Sequence, residues 1–562
     1  MSELVTALSV IFVVGGAFLL VANRFDLPTI PFLILAGLVT GTVIEERLTL
    51  ELARYGIALL VFAFGARIQF DAIRFVLDDS ELVAIGQVVV TGSIGVATGV
   101  LVGLSAEQAT YLGVAAALSS TTVGTSLLEP DVRENLVHGR LAESIQFVHD
   151  VLAIVFVLTM SVGAATAPSI ATKLGFGVAI VGTGVLINRV LFEYVGVLAD
   201  ESDEVMIVSV VALLVAFLTA AELVGVSIVV GAFAAGLAVR HEPAEHIGVL
   251  NGLASITDFF AAVFFVTLGA LVSVPTADAV IVAATLVVLT VVVKPAVTIG
   301  LLIHTGYEAR SATLTGLTLD QISEFALVIA IEALLLGILG QSVFDAIVLT
   351  AALTMITSSL SHRHAERVYR TLTDRGLLAS HHEKVDERSA VPDDVSDHVV
   401  IVGYGRQGQR LVETCEDVDR PYVVIENDPA LLTALDAQCA GYVFGNAMEP
   451  YTREKASLED ARLIVSTVDS TSLSDRLLSL ADGTDVILRA RSTERAFDLL
   501  DRGALYVNVP DRLAADRLVE HIEELIEGDR SRESLRRWHV AELDERSVHG
   551  YHTAADELRA TR

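Results

Sequence analysis

The chain has little charge, few aromatic residues and almost no cysteine for its length. Of 562 residues, 19% are charged, 6% are aromatic and two are cysteine. Soluble domains carry about 25% charged residues, so a chain folded entirely in water is excluded. Cys415 and Cys439 both lie in the C-terminal third. They build no disulfide framework, which fits a reducing compartment. Basic residues are scarce too: 38 Lys and Arg face 69 Asp and Glu, a net charge of −31. That acidic excess argues against a nucleic-acid partner. There is no TVGYG-like run, which counts against a selectivity filter made of carbonyl rings. No haem, metal or flavin constellation is present, so a membrane oxidoreductase would lack its second redox centre. The first apolar run begins at Leu4 without a basic leader or a small-residue cleavage site. It is expected to be a retained span.

What the chain does have is hydrophobicity. Over half of it is apolar (53%), and its mean hydropathy is +0.61. Residues 1–363 divide into thirteen expected spans: 3–22, 29–45, 52–70, 81–103, 108–128, 139–163, 172–192, 205–221, 224–240, 247–273, 278–304, 312–337 and 343–362. Each is close to the ~20 residues that cross hydrocarbon. The fold class expected is therefore a polytopic all-α membrane domain (1–363), joined by a linker (364–396) to an α/β domain (397–528) and a charged tail (529–562). An odd number of spans puts the termini on opposite sides. With the C-terminal domain inside, the inner loops hold Arg24, Arg67, Arg74, Arg133, Arg140, Arg189, Arg240, Arg310 and Arg363, and the outer ones only Arg47, Arg54 and Lys173. The positive-inside rule then places the N-terminus outside and the C-terminal domain in the cytoplasm.

Polar groups interrupt the spans at matching places. The fifth carries Ser119, Ser120, Thr121, Thr122, Gly124, Thr125 and Ser126. Such a run suits a helix that unwinds midway, because hydroxyls satisfy freed backbone groups. The sixth carries His149 and Asp150, with Gln146, Ser144 and Glu143 before them. The eleventh carries Lys294 next to Pro295, and the twelfth carries Thr318, Asp320, Gln321, Ser323 and Glu324. Spans five and twelve are seven apart, so equivalent spans run in opposite directions. Two interrupted helices so placed predict inverted repeats whose broken tips cross near the midplane. An ionisable group at that depth is costly and marks an ion path. Asp150 can hold a proton or a small monovalent cation, not both, and that competition couples two flows. Lys294 is expected to be its counter-charge when the cation is absent. Gln321 and Glu324 share a helix face and are expected to neutralise opposing helix ends or pair with Lys294.

The soluble part opens with the strand His398–Val402, followed directly by Gly403-Tyr404-Gly405-Arg406-Gln407-Gly408 and a helical stretch. A second strand, Tyr422–Ile425, ends at Glu426-Asn427. A G-x-G-x-x-G between strand and helix, with an acid about 20 residues on, is the dinucleotide-fold pattern. Its glycines let a phosphate approach the backbone, and Glu426 is placed to accept ribose hydroxyls. Strand runs at 461–467, 484–488 and 505–509 complete a doubly wound sheet.

On these residues the membrane half resembles the monovalent cation:proton antiporter family 2, especially its Kef-type members. The resemblance rests on the Ser119–Ser126 run, His149-Asp150 with Leu152-Ala153-Ile154, Val226-Ser227 through Gly236, Phe264-Phe265 to Gly269, Lys294 and Gln321-Ile322-Ser323-Glu324-Phe325. It implies a homodimer in the cell membrane, with a mobile core working against a dimerisation domain, and Asp150 as the carboxylate that binds Na⁺ or K⁺. His149 departs from the family, where Gln, Asn or Asp precedes the aspartate. A histidine there can alter stoichiometry or pH response. Expected members of the ion site are Asp150, His149, Ser119, Thr121, Thr122, Lys294, Gln321 and Glu324. The soluble half resembles an RCK (TrkA-N-type) domain, which implies a regulatory nucleotide, NAD(H) or AMP, ADP or ATP. It would lie on Gly403 to Gly408, Glu426, Asn427, Asn446 and Ala447. The usual Gly-Asp-Ala reads Gly445-Asn446-Ala447 here, one carboxylate fewer. The residues past 529 are expected to be too few for the second ligand lobe found in many RCK chains. The function expected is regulated cation:proton exchange without enzymatic chemistry, the alternative being a nucleotide-gated, channel-like K⁺ efflux system.

Overall fold

The computed structural model describes residues 3–548 except 26, 42, 68–78, 134–136, 161–166, 192–202, 240–246, 308, 379–382, 393–394, 429–430, 482 and 529. Arg74, Arg240 and the His381-His382 pair lie outside the described residues. The chain forms two compact units, Met1–Lys384 and Val385–Arg562.

The first unit is helical. Its helices are α1 Glu3–Arg24, α2 Thr29–Thr40, α3 Glu46–Arg67, α4 Asp79–Leu101, α5 Ala106–Ala117, α6 Thr121–Arg133, α7 Val137–Met160, α8 Ala167–Leu186, α9 Asp203–Leu223, α10 Ile228–Ala238, α11 Ile247–Ala270, α12 Ala277–Val288, α13 Lys294–His304, α14 Ala309–Thr318, α15 Glu324–Leu335 and α16 Gln341–Asp374. Seven of the described helical stretches are long and apolar enough to cross a membrane, and four further apolar helices are shorter. The fifth and twelfth expected spans are each broken, into α5/α6 and α14/α15. The eleventh passes through a π-helical turn, Leu289–Val293, into α13. Pro295 lacks an N–H and cannot complete the regular ladder there.

Packing sorts the helices into two bundles. Helices α4–α7 pack with α12–α16, while α1–α3 pack with α8–α11, and α2 also packs against α16 across the division. Within the second bundle small residues let backbones touch, the usual device where lipid gives no hydrophobic drive. A Cβ on Gly269 would lie 2.0 Å from the Ile34 carbonyl oxygen, and one on Gly236 would lie 2.1 Å from that of Phe62. The last helix, α16, runs unbroken to Asp374, eleven residues past the expected end of the membrane domain at 363.

The second unit contains a parallel sheet of order β3-β2-β1-β4-β5-β6. Its strands are β1 Val399–Val402, β2 Tyr422–Glu426, β3 Tyr442–Phe444, β4 Leu463–Ser466, β5 Asp485–Arg489 and β6 Tyr506–Asn508. Near-continuous Val, Ile and Leu bury both faces, as parallel strands require. The strand order reverses between β1 and β4, where ligands sit in such sheets. Val385 lies in this core, and Ala390 bridges Tyr442 through paired backbone bonds of 2.9 and 2.6 Å. The segment expected as a linker thus contributes to the sheet edge. In the expected tail, Arg532–Val548 is helical, and the guanidinium of Arg530 lies 4.6 Å from the ring centre of Trp538.

His398 is buried, and its Nε2–H donates to the Ala456 carbonyl at 3.0 Å. Burial holds the imidazole below the usual histidine range. The unfolded chain therefore binds the proton more readily, so stability is full above about pH 6.5 and falls as pH drops through the native value. Thermal melts of residues 385–548 between pH 8 and pH 5 are expected to show that decline, and His398→Gln should flatten it.

Candidate functional site

The two broken helices meet at their breaks. After α5 the chain turns extended at Leu118 and re-enters a helix at Thr121. After α14 it passes through Leu319 to Ser323, whose hydroxyl accepts the Phe325 N–H at 3.0 Å and caps α15. Ser119 Oγ donates to the Leu319 carbonyl at 2.8 Å, and Gln321 Nε2 donates to the Ser120 carbonyl at 3.2 Å. Gln146 Nε2 donates to the same Ser120 carbonyl at 3.1 Å. Gly124 makes room for it: a Cβ there would lie 1.6 Å from Gln146 Nε2. Thr354 and Ser358 of α16 support the second break, through bonds to Ile322 N (3.2 Å) and Gln321 Oε1 (3.0 Å).

Charge is placed according to helix polarity. The N-termini of α6 and α15 present free N–H groups and partial positive charge. Glu324 lies at the start of α15, and its Oε1 accepts from both Thr122 N (3.1 Å) and Thr122 Oγ1 (2.7 Å) on α6. One carboxylate thereby serves two helix starts. The opposite ends present carbonyls, and there the ammonium of Lys294 donates to Leu118 O (3.0 Å) and Gln321 O (2.7 Å). Lys294 is fully buried, so it is not a snorkelling lysine. It makes no contact ion pair among the described residues. Of the two roles expected for Glu324, the geometry has it at the helix ends and not in a contact pair with Lys294.

Asp150 and His149 project from α7 into the crossing, both 1% exposed. Thr121 Oγ1 donates to Asp150 Oδ2 at 2.6 Å. The other oxygen, Oδ1, is buried without a hydrogen-bond partner, and so is Glu324 Oε2. Two carboxylates brought into one crossing favour a cation beside them. His149 Nδ1 accepts the Ser119 N–H at 3.3 Å. An accepting Nδ1 means a neutral ring with its proton on Nε2. Asp320, which carried no assigned role, is also in the crossing and fully buried.

Access differs on the two sides of Asp150. Toward the Arg133 end, Thr122, Thr125, Ser126 and Glu143 are exposed. Toward the other end, Ile154 and Val157 meet Val61, Val229, Val230, Phe233 and Phe325 in an apolar wall around a small cavity. Ser227 Oγ closes the same seam by donating to Glu332 Oε1 at 2.9 Å.

In the second unit the glycine-rich turn has the dinucleotide-fold geometry. Gly403 sits at φ +95°, which a side chain would strain. A Cβ on Gly405 would meet nothing, leaving the start of the following helix open. A Cβ on Gly408 would lie 2.0 Å from the Gly403 carbonyl oxygen, so helix and turn pack without a side chain between them. Glu426 Oε2 accepts Tyr404 N (2.6 Å), while Oε1 accepts Asn427 N (2.7 Å) and Asp428 N (2.9 Å). Three of about four acceptor positions are thus taken. Tyr404 is buried and its hydroxyl donates to Gln438, while Arg406 is exposed and Gln407 half-buried. Asn446 Oδ1 accepts Met448 N at 2.9 Å, and its buried Nδ2 has no hydrogen-bond partner. Ala447 is buried, and its carbonyl accepts from Arg453. Burial raises both cysteine thiols above their usual range, as expected of packing residues.

Two crossing, interrupted helices with buried charge at their tips define a secondary transporter. Residues 8–363 match the family described as "Sodium/hydrogen exchanger, transmembrane", and residues 399–510 match the TrkA-N domain. The chain therefore belongs to the sodium/hydrogen exchanger family and carries a TrkA-N domain. It is similar to YbaL of Escherichia coli (strain K12), named for cation/proton antiport: 27% identical, covering 91% of this chain and 96% of that one. It is also similar to the glutathione-regulated potassium-efflux system protein KefC of Salmonella schwarzengrund (strain CVM19633), 25% identical over 90% of this chain and 83% of that one. Among solved structures, the TrkA-N domain of Escherichia coli YbaL is 28% identical, covering 23% of this chain and 97% of that one at a TM-score of 0.22.

Two outcomes follow from the crossing. Glu324→Ala is expected to destabilise the purified protein by about 3 kcal/mol, and Glu324→Gln, which keeps an acceptor for Thr122, by about 1 kcal/mol; their melting midpoints measure both. Because Gln can also accept the Ser119 N–H, His149→Gln should leave the pH profile of transport where it was.

Proposed function

We propose that the protein exchanges a monovalent cation for protons at Asp150, under control of a nucleotide on the TrkA-N domain. The observation that carries this reading is the pair of buried, partnerless carboxylate oxygens, Asp150 Oδ1 and Glu324 Oε2. They lie where the two breaks meet, among backbone carbonyls that are themselves paired. A bare cation gains there the ligands it loses from water, and a proton neutralises the same acid, so the two compete. Thr121 supplies a hydroxyl to Asp150, while Ser119, Thr122, Lys294 and Gln321 hold the two breaks in place. His149 acts as a hydrogen-bond acceptor that fixes the first break.

The cation is Na⁺ or K⁺, and the naming of relatives for potassium efflux puts K⁺ first. The apolar wall on one side of Asp150 supports alternating access over the channel-like alternative. The bundle of α4–α7 and α12–α16 is the unit that moves, against the bundle of α1–α3 and α8–α11 that forms a homodimer. The distribution of basic residues supports an external N-terminus and a cytoplasmic TrkA-N domain. In that domain the opening above Gly405 takes a phosphate at the helix start. Glu426 keeps capacity for a ribose hydroxyl, and NAD(H) and adenine nucleotides both meet these requirements.

Proteoliposomes with an imposed pH gradient test the reading. Addition of K⁺ or Na⁺, but not choline, should dissipate the gradient, and Asp150→Asn should abolish the response while keeping the melting profile of the parent. Exchange retained in that variant would overturn Asp150 as the carrier. Gly405→Leu should spare exchange and lose the effect of added nucleotide.

A further inference from the structure

Asp320 stands where a carboxylate is least at ease. It lies two residues past Thr318, the last residue of α14. There the helix end presents carbonyls and repels negative charge. It is fully buried, and neither carboxylate oxygen has a hydrogen-bond partner. Ser358 and Ser361 of α16 flank it, but the Ser358 hydroxyl is directed at Gln321. Nearby, Thr318 Oγ1 engages His362 Nδ1 at 3.3 Å instead. Glu324, four residues on, stands instead at a helix N-terminus and accepts both the amide and the hydroxyl of Thr122.

A buried acid in such a place needs a positive charge, and the crossing contains one. Lys294 is fully buried and donates to the carbonyl of Gln321, the residue next to Asp320. The charges of Asp320 and Lys294 act on each other. Asp150, by contrast, interacts chiefly with Glu324 and Thr121. Buried charges of opposite sign are tolerated together and costly apart.

We propose that Asp320 is the standing counter-charge of Lys294, a positioning residue that keeps the lysine at the helix breaks and leaves Asp150 and Glu324 to the transported ion. Two separate charge systems then share one crossing. Lys294 with Asp320 holds the carbonyl ends, and Asp150 with Glu324 receives the cargo. This assigns Lys294 to the scaffold rather than to a competition with the cation, and it rests on the proposed role of Asp150.

Full-length Asp320→Asn, Asp320→Glu, Lys294→Met and the double variant Asp320→Asn/Lys294→Met test it. In Asp320→Asn the unbalanced ammonium turns to Asp150, so half-saturation by K⁺ should rise by about tenfold or more, well beyond any fall in maximal rate. Asp320→Glu, which keeps the charge, should stay near the parent. Each single neutral variant should lower the melting midpoint, and the double variant should recover much of the loss. Midpoint losses that simply add, or unchanged half-saturation in Asp320→Asn, would overturn the pairing. The melting comparison needs no transport, so it decides the pairing even if Asp150 proves not to carry the ion. Should Asp320→Asn fail to fold, a folded double variant supports the pairing and an unfolded one overturns it.

Discussion

A helix broken inside a membrane leaves backbone groups and partial charges that lipid cannot satisfy. The organisation of the membrane unit follows from meeting that requirement twice in one place. At the N-terminal tips, the Glu324 carboxylate takes both the amide and the hydroxyl of Thr122. At the carbonyl tips, Lys294 bonds Leu118 and Gln321. Because each charge serves both helices, the two breaks form one polar joint, and neither break is satisfied without the other. Asp150 enters that joint from α7 with one oxygen bonded and one unpartnered.

The packing around the joint follows from its cost. Bundle α4–α7 with α12–α16 encloses it, and Gln146, Thr354 and Ser358 satisfy the backbone and amide groups that the charges leave over. The other bundle offers it apolar side chains, Val61, Val229, Val230 and Phe233. A seam between a polar joint and an apolar wall can slide without breaking hydrogen bonds inside either bundle. The Ser227–Glu332 contact is a bond that such a movement would have to release.

The soluble unit solves a different problem with the same elements. Six parallel strands bury both faces under helices, so polar backbone is free mainly at the strand ends, and the sequence places glycines there. Gly403 needs its positive φ, Gly408 needs contact with the Gly403 carbonyl, and Gly405 leaves open space. Glu426 ties the turn to the end of β2 through Tyr404 N.

Much of this was readable in the chain. Apolar stretches of span length, hydroxyl and acid runs at matching offsets, and a G-x-G-x-x-G between strand and helix gave the two architectures, the two interruptions and Asp150. These features are local, because helix and strand periods and the cost of a charge in lipid act over a few residues. The sequence left open which charge serves which tip. It offered Lys294 as a partner for Asp150 or Glu324, whereas the fold set it on carbonyls beside Asp320. It also gave no role to Asp320 and did not place Thr354 or Ser358 in the site. Contacts such as Ser119 to Leu319 or Thr122 to Glu324 join residues some two hundred positions apart. Only tertiary packing brings such groups within hydrogen-bonding distance, and only that distance decides how buried charges pair.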